Sequence, residues 1–133
     1  MEKMFDFKTY GIKSNIKWAW QRMVRGFDDK AVWSVDYYLA QLIPLLIMEL
    51  KENERGVPGQ MFEEDDWDEK KFQYKEGALE IAAEKWNSIL DEIAEGFQDY
   101  VNLWDFDMGD ALKSKKFNRA FDLLREYFQN LWW

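Results

Sequence analysis

The sequence predicts an all-α fold: a single-domain helical bundle of about four helices with an acidic loop. Three observations carry this. Four segments place apolar residues at steps of three and four. No segment alternates apolar and polar residues as a half-buried strand would. Apolar residues make up 47% of the 133-residue chain, enough for one core without disulfide staples. The domain is expected to span residues 1–133, with a loop at 54–72 that holds an acidic run.

The first helix is expected from Ser14, a suitable N-cap, to Arg25, with Gly26 as its stop. Ile16, Trp20, Met23, Val24 and Phe27 fall at helical spacing, while Lys13, Lys17, Arg22 and Arg25 occupy the other faces. After Asp28 and Asp29 a short turn leads to Trp33. Ser34 can then cap a helix to Asn53 whose stripe is Val35, Tyr38, Leu39, Leu42, Ile43, Leu46 and Leu50. Pro44 lies inside it and removes one hydrogen bond, so a kink is expected, without a break because the stripe stays in phase. Gly56, Pro58 and Gly59 mark a loop. Six of the seven residues Glu63–Glu69 are acidic, and their mutual repulsion predicts a solvated, mobile loop. A third helix is expected from Lys75 to Asp105, on Leu79, Ala82, Trp86, Ile89, Leu90, Ile93, Phe97, Tyr100 and Trp104. Gly96 within it suits a close helix crossing. After a turn, Asp110 can cap a fourth helix to Leu131 that buries Phe117, Phe121, Leu124, Phe128 and Leu131.

Composition excludes much chemistry. With no cysteine there are no disulfides, thiol nucleophiles or thiolate metal sites. With no histidine, the usual general base and the commonest metal ligand are missing, and Ser-His-Asp machinery cannot be built. The expectation is therefore a binding protein, not an enzyme, with no cofactor. No apolar run reaches signal-peptide or membrane-span length, so a cytoplasmic protein without a membrane partner is expected. Net charge is −8, unevenly spread: residues 1–30 sum to +3, leaving −11 on the remainder. That field disfavours nucleic acid as a general partner. Aromatic residues are 18% of the chain, and each ring buries roughly 150–250 Å² when covered, so some are free to line a partner surface.

Three segments together resemble a known group. They are Arg25-Gly26-Phe27-Asp28-Asp29 continuing through Trp33-Ser34-Val35-Asp36-Tyr37-Tyr38, then Trp86-Asn87-Ser88-Ile89-Leu90-Asp91, then the aromatic stretch Phe121 to Trp132. In this order the chain resembles a family of small uncharacterised bacteriophage and prophage proteins with a Trp-Ser-x-Asp-Tyr and Trp-x-x-Ile-Leu-Asp pattern. The resemblance covers about two thirds of the chain. It departs at Phe62–Ala83, which lengthens a junction that in the family puts a glutamate run directly before the second tryptophan. It implies phage origin and the cytoplasm of a bacterial host, and it carries no activity.

The residues leave several sites open. Trp33, Ser34, Asp36 and Tyr37 are either a capped helix start or a recognition corner with Trp33 and Tyr37 facing a ligand. Arg22, Arg25 and Lys30, if they converge with Lys113, Lys115, Lys116 and Arg119, would make an anion pocket in which arginine forks grip phosphate and rings stack a base. Glu63, Glu64, Asp65, Asp66 and Trp67 could mimic phosphate charge towards a basic host or phage protein, or could be merely solvated. Glu49 with Glu52 and Glu92 with Glu95 are paired carboxylates on helix faces, similar in outline to all-α nucleoside triphosphate pyrophosphatases that use magnesium. A calcium loop at Asp105, Asp107 and Asp110 is rejected, because its twelfth position is Lys116 where glutamate is needed. The leading expectation is a non-enzymatic phage accessory protein that binds a host or phage macromolecule, with blunting of host defence as its purpose. The alternatives are a sponge for a nucleotide-derived signal and a magnesium-dependent nucleotide hydrolase. Self-association is also expected, since Trp132 and Trp133 are costly to expose.

Overall fold

The computed structural model describes residues 7–53 and 56–132, with residues 7–10 described by backbone alone. The predicted all-α fold is found, with one small addition. In chain order the elements are α1 (Phe7–Arg25), α2 (Asp29–Trp33), α3 (Val35–Asn53), β1 (Trp67–Asp68), β2 (Gln73–Tyr74), α4 (Ala78–Trp104), α5 (Met108–Ala111) and α6 (Lys115–Glu126).

α4 is the axis of the bundle, and α3 and α6 make the most extensive packing against it. Its inward stripe runs Ala82, Trp86, Leu90, Ile93, Phe97 and Tyr100, all buried, with Leu90 and Ile93 fully inaccessible. The steps are three and four residues, so one face of the helix forms the centre of the core, which Ala40 and Ile47 of α3 and Phe117, Ala120 and Leu123 of α6 complete. Gly96 sits where α6 crosses: a β-carbon there would overlap the Ala120 methyl and the Lys116 carbonyl. The close crossing expected at this glycine is therefore present. Ser114, at the foot of α6, donates a short hydrogen bond to Asp99 and accepts one from Phe117 N at 3.1 Å, tying the start of α6 to α4.

Several expectations need correction. α1 does not start at Ser14, which lies within the helix. The break falls at Gly11, whose φ of +79° only glycine adopts freely, and Asn15 Nδ2 donates to its carbonyl at 2.6 Å. Asp110 does not cap the last helix. Asp107 caps the short α5 through Gly109 N at 2.8 Å, and Ser114 caps α6, because a serine hydroxyl reaches an orphan N–H just as well. The third helix begins at Ala78, after Gly77 turns the chain with φ +81°. α3 runs unbroken through Pro44, but its buried residues are Ala40, Pro44 and Ile47, while Leu39 and Leu46 are exposed. α6 buries Phe117, Ala120 and Leu123, while Phe121 and Phe128 are exposed. The cause lies in the crossing: contact at Gly96 demands a small side chain opposite, so α6 presents Ala120 inward, keeps Phe117 in the core and turns Phe121 outward, while Phe128 lies past the helix end at Glu126.

The acidic segment is not the open loop expected. Glu64–Asp66 forms a 3-10 turn, and β1 and β2 pair antiparallel with Trp67 opposite Tyr74 and Asp68 opposite Gln73. Short alternation over two residues per strand is too little for periodicity to reveal. The largest departure is in α1. Its apolar stripe of Ile16, Trp20, Met23, Val24 and Phe27 is exposed, and the buried positions are Asn15 and Trp18 on the opposite side.

Candidate functional site

Two surfaces stand out from residue chemistry: the acidic hairpin and the corner between α1 and α2. The hairpin is built from local bonds. Glu63 N donates to Asp66 Oδ2 at 2.7 Å, and Lys75 N donates to Asp66 O at 2.7 Å, closing the acidic turn onto the strand behind it. Asp68 Oδ1 accepts from Lys70 N and Lys71 N, which turns the chain between the strands. Lys85 of α4 reaches Glu63 Oε1 at 2.9 Å and anchors the hairpin to the bundle; that carboxylate holds the lysine above its ordinary pKa. Aromatic rings form the body. Phe62 stacks on Tyr74 at 4.0 Å, and Trp67 meets Tyr74 and Phe72 edge-on at 5.2 and 5.5 Å. Phe72 is 83% exposed and has a φ of +56°, left-handed geometry that a bulky side chain rarely adopts. Of the expected partner-binding residues, Glu63 and Asp66 are spent on the hairpin's own bonds. Glu64 and Asp65 project to solvent, and Trp67 is partly exposed between them and the rings.

The α1–α2 corner explains the Arg-Gly-Phe-Asp-Asp segment. Gly26, with φ +84°, ends α1 and donates to Arg22 O at 2.9 Å. Asp28, almost wholly buried, caps α2 through Ala31 N at 2.8 Å and takes a short ion pair from Arg22. Arg25 bonds Asp29 at 2.7 Å and lies 4.5 Å over the Phe27 ring. Gln21 exchanges two hydrogen bonds with Asp29, both at 2.9 Å. These bonds, the Gln21 contact first and Arg25 next, hold the Asp29 carboxyl below its ordinary pKa.

Arg22 and Arg25 thus face carboxylates of their own corner. The second basic group sits elsewhere: Lys113 pairs with Asp110 at 3.4 Å, while Lys115, Lys116 and Arg119 share a shallow hollow of about 280 Å³ with Glu92 and Glu95. The hollow thus sets two carboxylates near lysines at a helix N-terminus, where the macrodipole alone disfavours them. Lys30 lies 5.6 Å from the Trp18 ring. Glu49 and Glu52 are on α3 and exposed. Among the described residues no group of three carboxylates is placed to hold a metal ion.

The recognition-corner residues divide. Tyr37 is half-buried, 4.4 Å from the Trp104 ring, with its hydroxyl donating to Asp105 at 3.3 Å. Trp33 is exposed and meets Trp18 edge-on at 5.5 Å. Asp36 accepts from the Tyr100 hydroxyl at 2.5 Å. Burial first, then this carboxylate, pushes the Tyr100 hydroxyl up to about 12, while Tyr100 in turn holds Asp36 below its ordinary value. The Trp104 indole N–H, with no hydrogen bond of good geometry, lies close enough to favour the same carboxylate.

Sequence reasoning missed the rings of Phe62, Phe72 and Tyr74, and the groove between α3 and α6. The Asp68-Glu69-Lys70-Lys71 turn flanked by Trp67 and Tyr74 was the available signal for a hairpin. No helix among the described residues is long and apolar enough to cross a membrane. Comparison with protein families, curated proteins and solved structures finds no match.

Proposed function

We propose that this chain is a non-enzymatic binding protein that docks its acidic hairpin on a basic surface of a host or phage macromolecule. The observation that carries the reading is the pairing of free carboxylates with outward rings. Glu64 and Asp65 make no hydrogen bond or ion pair among the described residues, and Phe72 and Trp67 stand beside them on the same small hairpin. Carboxylates on a fixed turn steer a cationic partner, and rings supply the desolvated contact that gives affinity. Resemblance to the phage family supports an accessory role in an infected bacterium, with interference in host defence as its purpose.

The test is affinity capture from a bacterial host lysate with the wild-type chain and a Glu64→Lys, Asp65→Lys, Phe72→Ser variant. Wild type is expected to retain a basic protein that the variant loses, with retention weakening as salt rises. Equal retention by both chains, or no partner enriched by wild type, overturns the reading.

A further inference from the structure

α1 is built inside out. At 100° per residue, Ile12, Ile16, Trp20, Met23 and Val24 cover a face about 120° wide, and Phe27 follows just past the Gly26 stop. All six are exposed, with Trp20 at 62% and Met23 at 72%. The opposite face carries Asn15 and Trp18, both buried, and Arg22, which pairs with Asp28. So the helix rests on the molecule by the narrow face of Asn15, Trp18 and Arg22 and offers its wider apolar face outward. A second unfilled apolar surface lies between α3 and α6. It is a groove of about 560 Å³ whose walls include Leu39, Leu46, Leu124, Phe128 and Trp132, with Glu49 at its edge.

We infer that these two surfaces fill one another between two copies of the chain: α1 of each protomer lies in the α3–α6 groove of its partner. Charge favours this occupant. The α1 sequence contains five basic residues and no acidic one, whereas everything after residue 30 sums to −11. Lys17 borders the stripe and Lys13 lies within its arc towards Val24, while Glu49 lines the groove. Size agrees as well. The helical stripe from Ile12 to Val24 is about 18 Å long and the α3 wall from Leu39 to Leu50 about 17 Å, at 1.5 Å per residue. Reciprocal insertion closes the assembly at two chains, whereas one-way insertion would propagate. An anionic membrane is the other surface that a basic amphipathic helix suits. It would leave the groove empty and bring a body of charge −11 against like charge. The inference does not depend on the hairpin reading, since none of its residues belongs to the hairpin.

Sedimentation velocity on the full-length chain from 1 to about 100 μM tests it, with far-UV circular dichroism as the check on folding. Wild type should run as a dimer. Ile16→Glu with Trp20→Glu on α1, and separately Leu46→Glu in the groove, should each yield folded monomer. Mixing the two variants should restore a weaker dimer, because one helix and one groove remain intact in that pair. A wild-type monomer throughout overturns the inference. So does a dimer that survives the α1 substitutions, or one that survives Leu46→Glu, since helix-to-helix pairing needs no groove. Wild type that stays monomeric in solution but binds vesicles of phosphatidylglycerol assigns α1 to a membrane and also overturns it.

Discussion

α4 and α1 follow the same rule of spacing and meet opposite fates. Both place apolar residues three and four apart. In α4 the stripe of Trp86, Leu90, Ile93 and Phe97 is sealed between α3 and α6, while in α1 the equivalent stripe faces out and Asn15 and Trp18 face in. The difference teaches that periodicity identifies a face but not what covers it. α4 finds its cover within the chain. α1 touches the described molecule chiefly through α2 and through the Arg22–Asp28 pair, so its apolar face is left for something else.

Four measurements sharpen or break that contrast. Trp86→Ala removes a fully covered ring that meets Tyr127 edge-on at 5.6 Å, and should destabilise the chain by about 3–5 kcal/mol in urea unfolding. A loss under about 1 kcal/mol would mean that α4 is not the sealed axis. Gly96→Ala forces a methyl into Ala120 and the Lys116 carbonyl. It should cost about 1–3 kcal/mol despite the better helix propensity of alanine, because the obstacle is backbone.

Tyr100→Phe deletes the hydrogen bond to Asp36 and should cost about 1–2 kcal/mol, moderated by the water that the exposed carboxylate can recruit. Its pH dependence has a defined sign. Asp36 is depressed in the folded chain, so its share of stability is present above the ordinary carboxylate range and lost as pH falls through the folded value. Tyr100 is raised to about 12, so its share is intact below pH 10 and lost as pH climbs towards that value. The difference between wild type and Tyr100→Phe should therefore be flat from about pH 5 to 9 and shrink at both ends. Smallest of all, Trp20→Ser on α1 should change the stability of dilute protein by less than about 0.5 kcal/mol, although it removes an indole. A loss as large as that of Trp86→Ala would show that α1 is covered within its own chain.

The contrast also marks how far the sequence could be read. α4 was legible because one long stripe had a single solution, and Gly96 could be recognised as a crossing point. The direction of α6 was not, because a phenylalanine and an alanine one residue apart compete for the core, and the crossing at Gly96 decides for Ala120. The hairpin escaped because paired strands of two residues carry no period, while the acid run argued for an open chain. Among site residues, the carboxylates of the acidic turn were identified by charge alone. That Arg22 and Arg25 are turned towards Asp28 and Asp29 could not be foreseen, since a cation's partner depends on how Gly26 folds the corner.

The left-handed backbone at Phe72 has one more consequence. A phenylalanine held there costs on the order of 1 kcal/mol that asparagine or glycine would largely avoid, and its ring gains little from burial in return. Phe72→Asn should therefore make the hairpin sturdier and, if the ring is what grips a partner, a poorer ligand. Robustness and usefulness would then pull apart at a single position, and a screen for thermal resilience would discard the side chain on which the proposed docking relies.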